Sequence, residues 1–136
     1  MIEERVTSDL SGKRSPTALT TQFFRCRGFE CDIVERRITP IVKRDLFGFA
    51  DHLAFMSPQV LTFAQSTSAS NHSARVKKIA ENEIARLLVQ GGQCVCVISW
   101  KWKKARKIKK DGTPGKQFMY VHEGRVSTFQ VEDFTC

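Results

Sequence analysis

Residues 94–100 read CVCVISW, and a strand that is continuously apolar and rich in β-branched side chains is stable only when both of its faces are covered. The chain therefore has to place a sheet between two layers. The segment just before it supplies one of them. Val76, Ile79, Ala80, Ile84, Leu87 and Leu88 trace one helical side from Asn71 until Gly91 and Gly92 end it, with Glu83 the one interruption. A second helix is predicted from Ser15 to Arg27. Ser15 can cap it, Pro16 takes the first helical position, Leu19, Phe23 and Cys26 recur at helical spacing, and Gly28 stops it.

Between these helices the period is that of strands. FECDIVERRI alternates and is broken by Pro40, while LFGFADHLAF and VLTFAQST, separated by Ser57, Pro58 and Gln59, read as an antiparallel hairpin. Beyond CVCVISW a basic segment leads to QFMYV and RVSTFQV, which read as a hairpin joined at Glu123 and Gly124. The expected order is helix, three strands, helix, strand and terminal hairpin. This is an α/β (α+β) domain over 15–136 with a central mixed sheet flanked by helices. Residues 1–14 are polar, mixed in charge and without periodicity, which predicts a flexible arm. At 136 residues and 41% hydrophobic content, the chain has material for one core.

The charge narrows the partner. With 22 Lys and Arg against 14 Asp and Glu, the net charge of +8 favours polyanions, of which nucleic acid is the commonest. No stretch approaches the roughly 18 apolar residues that span a bilayer, and the first residues lack the apolar run of a secretory signal, so the expected setting is intracellular, without a membrane partner. Five cysteines, an odd set with Cys94 and Cys96 inside an apolar run, are expected to be reduced. Cys94 and Cys96 stand closer together than the usual zinc-ligand pair and no zinc-knuckle motif follows, so zinc is not expected.

The chemistry concentrates between Arg44 and Lys78. In RDLFGFAD, Asp45 and Asp51 are an even number of residues apart, which puts both on one face of a regular strand unless Gly48 forms a bulge. Gln65 and Thr67 share a face of the next strand. Oxygen ligands on two adjacent strands can hold a hard cation such as Mg²⁺ or Mn²⁺. Each residue also has a structural reading: Asp45 could pair with Lys43 or Arg44, and Gln65 could be a core amide. Asp51, among Phe49, Ala50, Leu53 and Phe55, is the hardest to explain structurally, because an unpaired carboxylate there is costly. His52, His72 and His122 are scattered and read as ordinary hydrogen-bonded histidines.

The RDLFGFAD and QST segments, in this element order, resemble the PD-(D/E)XK nuclease superfamily, and within it small archaeal and phage Holliday-junction resolvase-like proteins. The resemblance covers residues 15–100 as an αβββαβ core. It implies a metal-binding Asp at Asp51, puts Gln65 at the position of the metal-binding Glu and Thr67 at that of the Lys, and makes Gln22 the nearest polar candidate for an acid on the first helix. QxT thus stands in place of ExK. Gln65 offers a carbonyl oxygen without charge, and Thr67 supplies no cation. A lysine displaced onto the following helix would repair the loss, and the helical wheel favours Lys77 over Lys78 for this role. Arg75 in the first turn could bind phosphate.

The segment WKWKKARKIKK combines cations with Trp100 and Trp102. Alternation puts both tryptophans on one side with Ile98, which predicts that they are packed while Lys101, Lys103, Lys104, Arg106, Lys107, Lys109 and Lys110 reach toward phosphates with Arg75 and Lys78. The joint expectation is a metal-dependent DNA endonuclease for branched or structured DNA, implied by resemblance to act as a homodimer and to be phage-encoded. The alternatives are a catalytically degenerate nucleic-acid-binding protein on the same fold and a protein-interaction module.

Overall fold

A computed structural model of the chain describes residues 1–8 and 10–136; Asp9, inside the expected arm, lies outside the described residues. Strand β1 (Ile2–Ser8) is followed by α1 (Pro16–Cys26), β2 (Glu30–Ile33), the short pair β3 (Arg36–Arg37) and β4 (Lys43–Arg44), β5 (His52–Ser57) and β6 (Val60–Ser68). Helices α2 (His72–Ala80) and α3 (Glu83–Gln90), then long strands β7 (Cys94–Ile108) and β8 (Pro114–Thr128), complete the order, with 3-10 turns at Ala69–Asn71 and Val131–Asp133.

Six strands form one mixed sheet in the order β1-β8-β7-β6-β5-β2. Only β6 and β7 are parallel, and a parallel pair needs a crossover, which α2 and α3 provide. The expected two-layer cover is present. On one face α1 packs Leu19 and Phe24 on Ala54, Ala64, Cys96, Ile98, Trp100 and Val126; on the other, Ile79 of α2 and Ala85 of α3 pack with Phe49, Phe63, Val95, Val97 and Phe129. CVCVISW is buried from both sides because successive residues feed opposite cores. No helix among the described residues is long and apolar enough to cross a membrane.

The helix signals at the start of α1 operate as read, with Ser15 Oγ accepting from the Ala18 amide at 3.1 Å. The long helix expected from Asn71 is instead two. Asn82 Oδ1 accepts the Ala85 amide at 2.9 Å and caps α3, so Glu83 becomes a first-turn acid, where the helix dipole favours it.

The N-terminal arm is also corrected. Residues Ile2–Ser8 pair along their whole length with Ser8↔His122 through Ile2↔Thr128 of β8. An edge strand with a solvated outer side needs little apolar periodicity, and here Val6 alone is buried. Gly124 receives it: a Cβ there would lie 2.6 Å from Val6 Cγ2 and 2.7 Å from Trp100 Cζ3. That close approach, not a turn at Glu123 and Gly124, explains the glycine.

The terminal hairpin consequently has a different shape. The basic segment is not a loop but the outer part of β7, and β8 runs unbroken through Gly124. The reversal lies at residues 109–113, where Gly112 has φ 85° and Asp111 Oδ1 accepts the Thr113 amide at 3.0 Å. Since β6 stops pairing at Trp100 and β1 at His122, residues 101–108 of β7 pair with β8 alone, residues 103–108 and 114–121 have no third strand beside them, and the two strands project as a ribbon.

Candidate functional site

Because β2, β6 and β7 run in the same direction, their carboxyl ends lie at one end of the sheet, together with the amino end of β5. The chain from β2 to β5 loops over this end. The expected strand over residues 46–55 starts only at His52. Before it, Leu46 and Ala50 close a tight turn through paired backbone bonds of 2.7 and 3.0 Å, with Phe47 at φ 57° and Gly48 at φ 81°. This turn, not strand alternation, brings Asp45 beside Asp51.

Glu35, just past the end of β2, joins them. Ligand oxygens of Glu35, Asp45 and Asp51 all lie within 4.8 Å of one another, the sole such group of potential metal ligands among the described residues. The oxygens around one cation bonded at about 2.1–2.5 Å span roughly 4–5 Å across, so this spacing could hold a divalent ion after small adjustments. Asp51 is 6% exposed and closely oriented. Its Oδ1 accepts from His52 Nδ1 at 2.7 Å and from the Ser66 amide at 3.0 Å, and Ser66 Oγ donates to Oδ2 at 3.2 Å. His52 is in turn 3.1 Å from Thr21 Oγ1 on α1, which ties the carboxylate to the opposite layer.

Gln65 is 3% exposed. Its Nε2 donates to Asp45 Oδ2 at 3.1 Å, while its buried Oε1 has no partner. An amide oxygen without a donor costs about 1–3 kcal/mol. Amide nitrogen and oxygen exchange by a simple flip, and with a cation among the carboxylates the flipped amide would offer the oxygen to the ion. Burial, then the neighbouring Asp51 and Glu35, push the Asp45 carboxyl above its ordinary range; the Lys78 and Arg75 charges act in the opposite sense.

Several expected site residues stand elsewhere. Asp45 does not pair with a neighbouring cation; Lys43 bonds Glu35 at 3.4 Å instead. Lys77 and Lys78 are both exposed on α2, and of the α2 cations it is Lys78 and Arg75, three residues apart, whose charges act on Asp45. Thr67 is buried and brings no charge. Gln22 lines a cavity of about 680 Å³ with Arg5, Phe23, Cys26 and Arg27, on the β1 side of the sheet and separated from β5 by three strands. The α1 residues that approach the acidic group are Thr21, by its hydroxyl, and Thr17, by its carbonyl, both through His52.

Glu35 was missed because a strand reading of FECDIVERRI hides the loop that begins at Val34; three acids within seventeen residues were the only sequence signal. The histidines are buried and bonded. His72 Nδ1 and Nε2 lie 2.6 and 2.7 Å from Ser99 and Ser127 Oγ, and His122 Nε2 donates to the Gly12 carbonyl at 2.6 Å. No cysteine joins a ligand cluster among the described residues, all five are free, and burial pushes the Cys31 thiol up to about 11.

The ribbon carries Lys101, Lys103, Lys104, Arg106, Lys107, Lys109, Lys110 and Lys116 against Asp111 alone over residues 101–121. It leaves the sheet from the same end as the acidic group, one strand over from Gln65, whose register partner on β7 is Val97. Trp100 is packed and its Nε1 donates to Thr20 Oγ1 at 2.9 Å. Trp102, expected to pack beside it, is 47% exposed, because the α1 layer ends before the ribbon does. Comparison of the chain with protein-family models, with curated proteins and with solved structures finds no match.

Proposed function

We propose that this chain is a divalent-metal-dependent endonuclease acting on branched or otherwise structured DNA, built on a PD-(D/E)XK-like core. The observation that carries the reading is the convergence of Glu35, Asp45 and Asp51 with the unpartnered Gln65 carbonyl at the end of the sheet from which the basic ribbon projects. The element order supports the core: α1, the antiparallel run β2-β5-β6, then the crossover helices and parallel β7 follow the order that the resemblance implies, with β3 and β4 as an insertion.

A bound Mg²⁺ or Mn²⁺ supplies polarisation of the scissile phosphate and an acidified water. The chain's own residues do the rest. Glu35, Asp45 and Asp51 give hard oxygen ligands, and His52 and Ser66 hold Asp51 in one orientation. The three carboxylates supply the negative charge that Gln65 lacks, and together they would hold the cation. Lys78 and Arg75 take the place of the family lysine and stabilise charge that develops on the phosphate. The ribbon lysines hold the DNA backbone. A two-fold dimer would place two such sites on the paired strands of a junction.

The test is cleavage of labelled four-way junction, flap, linear duplex and single-stranded DNA in Mg²⁺ or Mn²⁺. Wild type is expected to cut a branched substrate, and Asp51→Ala and Glu35→Gln to lose more than the roughly 10–100-fold typical of an outer-shell change at a metal site. One observation favours a second reading: Thr67 supplies no cation, and the one lysine ion-paired within the acidic group, Lys43 on Glu35 at 3.4 Å, comes from β4 and not from the position of the family lysine. Binding with steep salt dependence and no cleavage by wild type would leave a catalytically degenerate DNA-binding protein.

A further inference from the structure

The two faces of the ribbon are chemically unlike. The β7 face that carries buried Cys96, Ile98 and Trp100 continues beyond the sheet as Trp102, Lys104 and Arg106. Their register partners on β8 are His122, Tyr120 and Phe118. The other face of β7 presents Lys101, Lys103, Ala105 and Lys107, with Lys103 bonded to Glu123 at 2.8 Å, and no ring.

On the first face aromatic rings and cations interleave. Trp102 and Tyr120 meet edge to face with centroids 4.8 Å apart. Lys13 Nζ lies 5.1 Å from the Trp102 ring centre and 5.9 Å from that of Tyr120, and the bond from His122 to the Gly12 carbonyl fixes its segment there. Lys104 and Arg106 lie 5.9 and 5.7 Å from the Phe118 ring. Trp102 and Phe118 remain 47% and 55% exposed. Folding accounts for Trp100, which is buried and hydrogen-bonded, but leaves about half of each of these two rings open to solvent. Exposed rings on a free ribbon are an association liability unless they serve a partner.

We propose that this face is a stacking platform for unpaired bases, with Trp102 and Phe118 as the ring surfaces, Tyr120 supporting Trp102, and Lys13, Lys104 and Arg106 moving from the rings to the adjacent phosphates. The surrounding charge selects a polyanion. An intact duplex satisfies that charge but keeps the faces of its bases inside its own stack, and an acidic peptide brings charge without flat rings. An unpaired strand brings both, and stacking on aromatic side chains tolerates any base sequence. The ribbon's paired outer part, eight residues on β7, extends roughly 26 Å, long enough to follow several nucleotides leading away from the acidic group. The preferred substrate is therefore one that exposes unpaired nucleotides beside the cleavage point. This inference rests on the reading that the partner is nucleic acid, and not on cleavage.

The experiment measures equilibrium binding by fluorescence anisotropy in EDTA, so that cutting plays no part. The ligands are an unpaired oligonucleotide, the same backbone with abasic positions through its middle, and the corresponding duplex. The proteins are wild type and the double variant Trp102→Leu, Phe118→Leu, with thermal melting as a folding control. Wild type is expected to prefer the unpaired strand with bases about tenfold or more over the abasic one, in keeping with the stacking energy of one or two bases. The double variant should lose that preference while keeping its salt dependence, because every cation remains. Equal binding of natural and abasic strands by wild type, or an unchanged preference in a folded double variant, overturns the platform and leaves charge-driven binding standing. Failure to bind any of the three ligands overturns the nucleic-acid reading as well.

Discussion

At position 65 a neutral amide stands where the resemblance implies a carboxylate, yet its surroundings are not those of a neutral site. Asp45 lies against its Nε2, and Glu35 and Asp51 crowd the same few ångströms. Without a cation, the ionised Asp45 is disfavoured in the folded chain relative to the unfolded one, and this settles the sign of a pH effect. The folded protein holds the Asp45 proton more tightly, so metal-free stability falls as pH rises from the ordinary 3.8 through the raised folded value, and does not recover above it. Asp45→Asn should raise the melting temperature of metal-free protein at neutral pH by a few degrees while abolishing any stabilisation by Mn²⁺. Differential scanning calorimetry with and without the metal checks both; a fall in the metal-free melting temperature would remove the repulsion argument. Asp51 was legible in the sequence because a carboxylate set among Phe49, Ala50, Leu53 and Phe55 needs a reason. Asp45 was legible by proximity, but the strand geometry assigned to it was wrong, since the left-handed Phe47-Gly48 turn cannot be read from alternation.

Elements with their own local signals were the ones readable in advance. Helix α1 announces its start through Ser15 and Pro16 and its end through Gly28, and CVCVISW announces a doubly covered strand. Strand β1 carries no such signal, because its place is decided by a partner 120 residues away. Only Val6 is buried, and its seat exists because position 124 lacks a Cβ. Gly124→Ala is therefore expected to destabilise the protein by about 1–3 kcal/mol, the usual range for overpacking, and to do so unevenly. Hydrogen exchange should accelerate across residues 2–8 more than in β6 or inner β7. Uniform acceleration, or none, would show that β1 does not depend on this contact. The same substitution separates the two roles a sequence can give a glycine, since one needed for a turn at 123–124 would leave β1 paired.

Over the whole molecule the charge is segregated. Nearly the entire excess that composition gives to the chain sits on the ribbon, where residues 101–121 hold eight cations and one acid, while three acids gather at the sheet end from which that ribbon departs. Composition could foretell the sum but not the separation, which depends on β7 and β8 outrunning their neighbours. The basic segment read as a connection is thus the longest regular extension of the fold. Positive potential along the ribbon would draw a polyanion toward the acidic group, and a cation there would turn a repulsive spot into an attractive one. The account consequently stands or falls on whether Glu35, Asp45 and Asp51 bind a divalent ion. The most direct measurement is titration of the protein with Mn²⁺, followed by the loss of the free-ion signal in electron paramagnetic resonance. The account predicts saturable binding that Mg²⁺ displaces, that weakens as pH falls and Asp45 takes up its proton, and that Asp51→Asn or Glu35→Gln removes. Undiminished free Mn²⁺ in the presence of folded wild-type protein, or binding that survives both substitutions, would contradict it.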